Sequence, residues 1–317
     1  MSVAAETNDD GVEVCAYAPS KPAEDPTNLK DMPAGRFAPS PSGDLHLGNL
    51  RTALLAWLFA RTTGRGFIMR IEDLDRVKSG AEARQLADLR AIGLDWDGPV
   101  VRQSERTALY DDAIDRLTAA GMTYECFCTR REILEAPSAP HALGGAYPGT
   151  CRGLSPVERS AKTRPPALRL KSDVTEFSIT DMIHGQFNGQ VDDFVLRRAD
   201  GVAAYNLAVV VDDGEQGIDQ VVRGDDLLAS SPRQAYLSSL LELPTPTYAH
   251  VPLALNSQGK RLAKRDGAVT LADQAAMGLG PHDVRRMLAE SLELDPSDLL
   301  GTFDPARLPT TPWIFET

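Results

Sequence analysis

Residues 36 to 49 read Arg36-Phe37-Ala38-Pro39-Ser40-Pro41-Ser42-Gly43-Asp44-Leu45-His46-Leu47-Gly48-Asn49. This string joins a strand-like segment to a helix whose apolar residues Leu50, Leu54, Leu55 and Leu58 recur at helical spacing, with Gly64 suited to the helix end. The prolines and Gly43 force a sharp turn, and Gly48 keeps the helix start free of side-chain bulk. A helix N-terminus presents unpaired N–H groups and a partial positive charge, which suits a phosphate. His46 adds a hydrogen bond or a positive charge for a transition-state phosphate. A strand, a tight turn and a helix in this order open an α/β sheet. Downstream the rhythm continues: Phe67 to Ile71 is a short apolar run of the buried parallel-strand kind, and Ala81 to Leu94 and Glu105 to Ala120 are helical in pattern.

Between Tyr124 and about Asp193 the pattern breaks. Pro137, Pro140, Gly144, Gly145, Pro148, Pro156, Pro165 and Pro166 interrupt it, as an insertion into the sheet domain would. The rhythm resumes with Asp193-Phe194-Val195-Leu196 and the run Ala208-Val209-Val210-Val211. After Leu255 a basic, glycine-containing loop leads into a helical tail over Leu271 to Leu292. Residues 1–33 are rich in Ala, Pro, Asp and Glu without periodicity and are expected to form a flexible acidic leader. The expected division is therefore leader 1–33, first half of the sheet domain 34–123, insertion 124–193, second half 194–255, and basic loop with helical tail 256–317.

The 317 residues carry a formal charge of -12, which argues against binding nucleic acid chiefly by phosphate neutralisation. Any RNA contact must come from local basic patches and be salt-sensitive. No apolar run is long enough to span a bilayer and no secretory signal opens the chain, so the expectation is a cytoplasmic monomer without membrane contact. Of four cysteines, Cys15 stands alone, whereas Cys126, Cys128 and Cys151 cluster. Three thiols in such a chain point to metal before disulfide, with three buried apolar residues as the alternative. Zinc needs a fourth ligand for its tetrahedron, and on chemistry alone His141 offers it.

Other residues carry chemistry by position. Glu72, Asp73 and Asp75 follow the second strand, where open α/β sheets bind ligands, and one of them suits the ammonium of an amino acid. Asp73 and Asp75 are expected to cap the next helix, and Arg197 and Arg198 to be surface charges beside the turn at Asp200-Gly201. Lys260, Arg261, Lys264 and Arg265 place four cations in a glycine-bounded loop, suited to charge on a leaving pyrophosphate.

Taken together these strings resemble the class I aminoacyl-tRNA synthetases. The Arg36-Phe37-Ala38-Pro39-Ser40 lead-in, the segment from Asp193 to Asp213 and the segment from Val221 to Leu228 resemble the glutamyl and glutaminyl branch over about Gly35 to Leu292. His46-Leu47-Gly48-Asn49 occupies the place of the family's His-Ile-Gly-His, and the basic loop that of its Lys-Met-Ser-Lys-Ser. Here Arg261 replaces the first lysine, Ala263 the serine and Arg265 the last serine. The resemblance implies a Rossmann-like open parallel sheet carrying an inserted zinc-bearing α+β subdomain and a short C-terminal helical region, without an anticodon-binding domain. It implies His46 and Lys264 as catalytic groups, with Gly48 and Asn49 joining them at ATP. Arg36, Phe37, Ala38, Pro39, Ser40, Glu72, Tyr205 and Arg223 would bind glutamate, two arginines suiting its two carboxylates.

The Cys126-x-Cys128 and Tyr147-x-x-x-Cys151 spacings are similar to those of the short glutamyl-queuosine tRNA(Asp) synthetases. In that group a tyrosine oxygen completes one structural zinc site, so Tyr147 competes with His141 for the fourth position. The resemblance then implies glutamate activation by Mg²⁺-bound ATP without tRNA, followed by transfer to queuosine in the anticodon loop of tRNA(Asp). Two alternatives remain: a minimal synthetase charging a tRNA 3′ end, and a non-catalytic glutamate-sensing paralogue.

Overall fold

The computed structural model describes residues 32–135, 147–262 and 269–316, together with a two-residue ladder near the N-terminus. Lys264, His141 and Cys15 lie outside the described residues. The ladder pairs β1 (Glu6–Thr7) with β2 (Glu13–Val14) antiparallel.

The main body starts with β3 (Ala34–Phe37), followed by α1 (Leu47–Thr62), β4 (Gly66–Ile71), α2 (Ala81–Ala91), β5 (Val101–Arg102) and α3 (Thr107–Ala119). Then come β6 (Thr123–Cys126), α4 (Arg130–Glu135), α5 (Pro156–Ser160), β7 (Ala167–Leu170), β8 (Glu176–Asp181), β9 (Gly185–Gln190) and β10 (Val195–Arg197). The second half brings α6 (Tyr205–Glu215), β11 (Ile218–Gly224), α7 (Ser231–Leu240), β12 (Thr247–Val251) and β13 (Ala254–Asn256). The tail holds α8 (Leu271–Ala276), α9 (Pro281–Glu290), α10 (Leu299–Thr302) and β14 (Trp313–Phe315).

Seven strands form one sheet in the order β5-β4-β3-β11-β12-β8-β9. All neighbours are parallel except the β8–β9 pair. Strand order reverses between β3 and β11, and the crevice beyond their carboxyl ends is where such sheets take ligands. Helix α1 is buried almost all round, from Leu47 through Ala60. It therefore packs as a core helix between the sheet and the tail, and its start is held rigidly beside the crevice. The buried Arg51 adds to this hold. Its guanidinium donates to Pro252 O at 2.9 Å and to Ser291 Oγ at 3.1 Å, tying α1 to the segment after β12 and to the end of α9.

Three local outcomes differ from simple pattern reading. The apolar run Ala208–Val211 is helical, in the middle of α6. A short β-branched run buried on all sides has the same pattern as a strand, and only its neighbours decide. The helical tail is two helices, because Gly278 turns at φ 85° and Pro281 starts α9 after Gly280. Finally, Asp73 and Asp75 do not cap α2, whose N-cap is Gly80 without a side-chain bond. Asp73 instead accepts from the backbone N–H and hydroxyl of Ser104 at 2.8 and 2.6 Å, while Asp75 faces Arg198 at 3.6 Å. Arg197 and Arg198 are partly exposed and pair with Asp111 and Asp200.

The expected insertion 124–193 splits between two sheets. Strands β6, β7 and β10 make a three-stranded antiparallel sheet in the order β10-β7-β6, so Val195–Arg197 belongs with it. Strands β8 and β9 extend the main sheet through the pairing of Tyr248 with Asp181. Among the described residues no helix is long and apolar enough to cross a membrane.

Candidate active site and candidate metal centre

The crevice at the strand-order reversal is an open cleft of about 680 Å³. Arg36, Phe37, Ala38, Pro39, Ser40, His46, Gly48, Asn49, Glu72, Tyr205 and Arg223 all line it. Thus every described residue expected at glutamate and ATP comes to one place.

The proline turn owes its shape to backbone and side-chain ties from the neighbouring loop. Glu72 N–H donates to Pro39 O at 3.0 Å and Lys78 N–H to Pro41 O at 2.8 Å. Gln85 reaches from α2 and donates to Ser40 O and Gly43 O at 3.0 and 2.6 Å. Gln85 carries no sequence signal beyond a polar residue on a helix, and its burial is the reason it matters.

His46 is the N-cap of α1. Its Nδ1 accepts from Asn49 N–H at 3.2 Å, and Asn49 Oδ1 accepts from His46 N–H at 3.2 Å. This reciprocal pair satisfies two helix-start donors and gives Asn49 a structural task of its own. Because Nδ1 accepts, the ring proton sits on Nε2, where it can serve a phosphate oxygen. Leu47 N–H donates to Val269 O at 2.8 Å, and Leu262 N–H to Ala254 O at 3.1 Å. Leu262 and Val269, on either side of residues 263–268, are therefore both anchored beside the helix start. A Cβ at Gly48 would meet the His46 ring and Ala254 Cβ at 3.0 Å, so any larger residue crowds this corner.

Five charged groups meet at the floor: Arg36, Arg70, Glu72, Asp212 and Asp213. Arg36 Nε contacts Asp213 Oδ1 at 3.3 Å. Arg70, fully buried, reaches Asp213 at 2.8 Å and has Asp212 and Glu72 at 3.7 Å. Burial works to raise the Asp213 carboxyl, but Arg70 and Arg36 outweigh it and hold Asp213 below the usual carboxylate range. Burial lowers the Arg36 guanidinium, and the field of Arg70 and Arg223 adds to the effect against Asp213. Glu72 is different: burial pushes its carboxyl up to about 7, against the pull of Arg70 and Arg36.

Arg223 is 5% exposed and its partners are all neutral groups. Nε donates to His250 Nε2 at 3.0 Å; Nη2 donates to Ser231 Oγ at 2.7 Å and to Gln234 Oε1 at 2.8 Å; Nη1 approaches Tyr205 OH at 3.4 Å. Among the described residues no carboxylate pairs with it. A buried cation of this kind costs free energy unless an anion arrives to balance it, so a ligand carboxylate is the natural complement. Sequence reasoning found Arg223 and Tyr205 but not His250, Gln234 or Ser231, which set the guanidinium.

A second cluster lies at β6. The Sγ atoms of Cys126, Cys128 and Cys151 all lie within 4.8 Å of one another. Tyr147 is buried with them: Cys126 Sγ donates to its hydroxyl at 3.3 Å, and Cys128 Sγ lies 3.5 Å from it. Arg169 stacks on the Tyr147 ring with its Cζ 3.7 Å from the centroid. Three thiols converging with one phenol oxygen form a donor set that suits zinc. Among the described residues the apolar packing around them is thin, made by Tyr124, Phe127, Ile133 and Leu154.

Comparison with known proteins identifies the family. Residues 34–294 match the family described as tRNA synthetases class I (E and Q), catalytic domain. A protein of Nocardia farcinica named glutamyl-Q tRNA(Asp) synthetase is 67% identical over 287 residues, spanning 89% of this chain and 92% of its own. A protein of the same name from Cutibacterium acnes is 53% identical over 290 residues, spanning 88% of this chain and 82% of its own. Among solved structures, a glutamate tRNA ligase from Elizabethkingia meningosepticum in complex with its amino acid superposes with a TM-score of 0.76 at 29% identity, spanning 90% of this chain and 67% of that one. With the strand-order reversal, the His46 helix start and the paired buried arginines in place, the chain belongs to the class I tRNA synthetases of the glutamyl and glutaminyl type.

Proposed function

We propose that the protein activates L-glutamate with ATP to glutamyl-adenylate without tRNA, then transfers glutamate to queuosine at the wobble position of tRNA(Asp). The observation that carries this reading is the pair of buried arginines at the strand reversal, Arg36 and Arg223, the second balanced by no described carboxylate. The names of the relatives point the same way. Arg223 and Tyr205 take the side-chain carboxylate, Arg36 orients the α-carboxylate, and Glu72 takes the ammonium. Phe37 to Ser40 form the wall.

An oxygen of the α-carboxylate attacks the α-phosphorus of ATP, and the bond to pyrophosphate breaks. Mg²⁺ enters with the triphosphate as part of the substrate. His46 Nε2–H and the start of α1, with Gly48 and Asn49, stabilise the charge that develops on phosphate, and Lys264 from the basic loop serves the leaving pyrophosphate. A hydroxyl of the queuosine cyclopentene ring then attacks the activated carbonyl and AMP departs. A splayed anticodon loop suits an open cleft of this size. Cys126, Cys128, Tyr147 and Cys151 would hold one structural zinc, which would pin the loop-rich segment around β6.

Glutamate-dependent exchange of labelled pyrophosphate into ATP, run without tRNA, tests the first step. Wild type should exchange, and Lys264→Ala should lower the rate by about 10²-fold or more; an unchanged rate removes Lys264 from the mechanism. For the second step, labelled glutamate attached to tRNA(Asp) should survive removal of the 3′ adenosine. Label lost with that nucleotide would instead mean charging of the 3′ end.

Glu72 supplies a pH test. With its carboxyl raised to about 7 in the free protein, the arriving ammonium favours the ionised form and drives the proton off. Glutamate binding near neutral pH should therefore release protons, and below that range Kd should rise by up to roughly tenfold per pH unit. Calorimetric titration in two buffers of different ionisation enthalpy reads the proton count directly. A count of zero near neutral pH would mean that Glu72 is not the ammonium's partner.

A further inference from the structure

Arg223 is held on three sides, and the hold does not end at its immediate neighbours. His250, on β12, is fully buried and accepts from Arg223 Nε at 3.0 Å through Nε2. The same nitrogen lies 3.0 Å from Ser231 Oγ. On the other side of the ring, Nδ1 lies 2.6 Å from Asp181 Oδ2, and His250 N–H donates to that oxygen at 3.1 Å. Asp181 is itself fixed, since its Oδ1 accepts from the backbone N–H groups of Ile183 and His184 at 2.9 Å.

These contacts leave one consistent assignment. Asp181 can only accept, so His250 carries its proton on Nδ1, and Nε2 is a lone pair facing the N–H of Arg223. An imidazolium here would set two donors against each other. The guanidinium then spends Nε on His250 and both Nη2 hydrogens on Ser231 and Gln234. Among the described residues its one incompletely engaged edge is Nη1, next to the Tyr205 hydroxyl. An anion entering the cleft meets Nη1–H and the phenol O–H as a matched pair of donors, and not the bidentate fork of a loose arginine.

We propose that Asp181 and His250 are positioning residues for amino-acid recognition, holding Arg223 so that Nη1 together with Tyr205 receives the substrate's side-chain carboxylate. His250 also places a neutral ring between the Asp181 carboxylate and the guanidinium. Arg223 thereby keeps its positive charge for the ligand without forming an internal ion pair. This inference rests on the glutamate-activating reading above and adds to it the two residues that set the specificity arginine.

The test is steady-state pyrophosphate exchange with purified full-length protein, varying glutamate and ATP separately. His250→Leu removes the acceptor at similar volume and should raise KM for glutamate by about tenfold or more, leaving KM for ATP within about twofold. His250→Gln restores an oxygen acceptor and should recover most of that loss. A uniform drop in kcat with both KM values unchanged would show a merely structural role and overturn the proposal. So would a glutamate KM within about twofold of wild type in His250→Leu.

If His250→Leu fails to fold, the wild-type protein and a Ser231→Ala variant still decide. Nitrogen-15 NMR of the histidine rings should show one ring locked with its proton on Nδ1, and Ser231→Ala should raise KM for glutamate but not for ATP. The absence of any ring locked with its proton on Nδ1 would overturn the assignment, since His46 is the ring expected to carry its proton on Nε2. Wild type that shows no glutamate-dependent exchange at all would refute the underlying function instead, so the two failures are distinguishable.

Discussion

Replacing Arg223 by lysine should lower kcat/KM for glutamate in pyrophosphate exchange by about 10³-fold or more. The guanidinium serves His250, Ser231 and Gln234 at once, with a fourth edge at Tyr205. A lysine ammonium is a point charge with three donors on a flexible stem, and it cannot reproduce that planar set. Charge-assisted hydrogen bonds contribute about 1.5 to 3 kcal/mol each, and acceptors left buried and unpaired add a further penalty. Losing the substrate contact and one internal bond amounts to about 4 kcal/mol, which corresponds to the stated thousandfold. KM for ATP should stay near the wild-type value, because the phosphate-binding helix start is built from other residues. Exchange rates measured at saturating ATP check this. A loss smaller than about tenfold would mean that Arg223 does not receive the carboxylate.

The second large effect concerns zinc. Purified protein should carry about one zinc per chain, and Cys126→Ser or Cys151→Ser should abolish most of it. The reason is packing. Among the described residues only a few partly buried apolar side chains surround Cys126, Tyr147 and Cys151, too few to order a loop-rich segment. Apparent zinc-binding free energies of about 10 kcal/mol or more are common for structural sites, so the metal would supply most of the local stability. Metal analysis should report the loss, and limited proteolysis should show faster cleavage between β6 and β7 after chelation. Protein that carries no zinc and is indifferent to chelators would refute the site. Tyr147→Phe tests the fourth ligand: it keeps the ring under Arg169 and removes only the oxygen, so zinc should be held more weakly with little change in packing.

How much of this was legible in the sequence differs by region, for physical reasons. The run from Arg36 to Asn49 announces its own structure because turn chemistry, helix spacing and the Gly48 position are all local. Glu72 follows a strand; position offered it together with Asp73 and Asp75, and the family resemblance singled it out. The cysteine spacing likewise brought Cys126, Cys128, Tyr147 and Cys151 together as expected. What the sequence could not show are contacts between distant segments. His250 sits in a strand whose pattern is simply apolar, and its importance appears only when β12 lies beside β11. Asp181 stood in a stretch that proline and glycine had marked as an insertion, yet it belongs to the main sheet. Gln85 and Arg70 were silent for the same reason, since a buried polar residue is recognised by what surrounds it. Asp73 looked like a helix cap by proximity, and tertiary contact with Ser104 won instead.

The adjacency of β3 and β11 has a consequence for how the molecule comes into being. Arg36 donates to the carbonyl of Val222 across a separation of 186 positions. The amino-acid cradle therefore does not exist in a nascent fragment that stops short of β11, and it forms only when the polypeptide closes that long loop. Metabolite present during synthesis has nothing to grip until nearly the whole sheet has emerged. Substrate can thus act as a thermodynamic seal on the finished protein, not as a template for its first half.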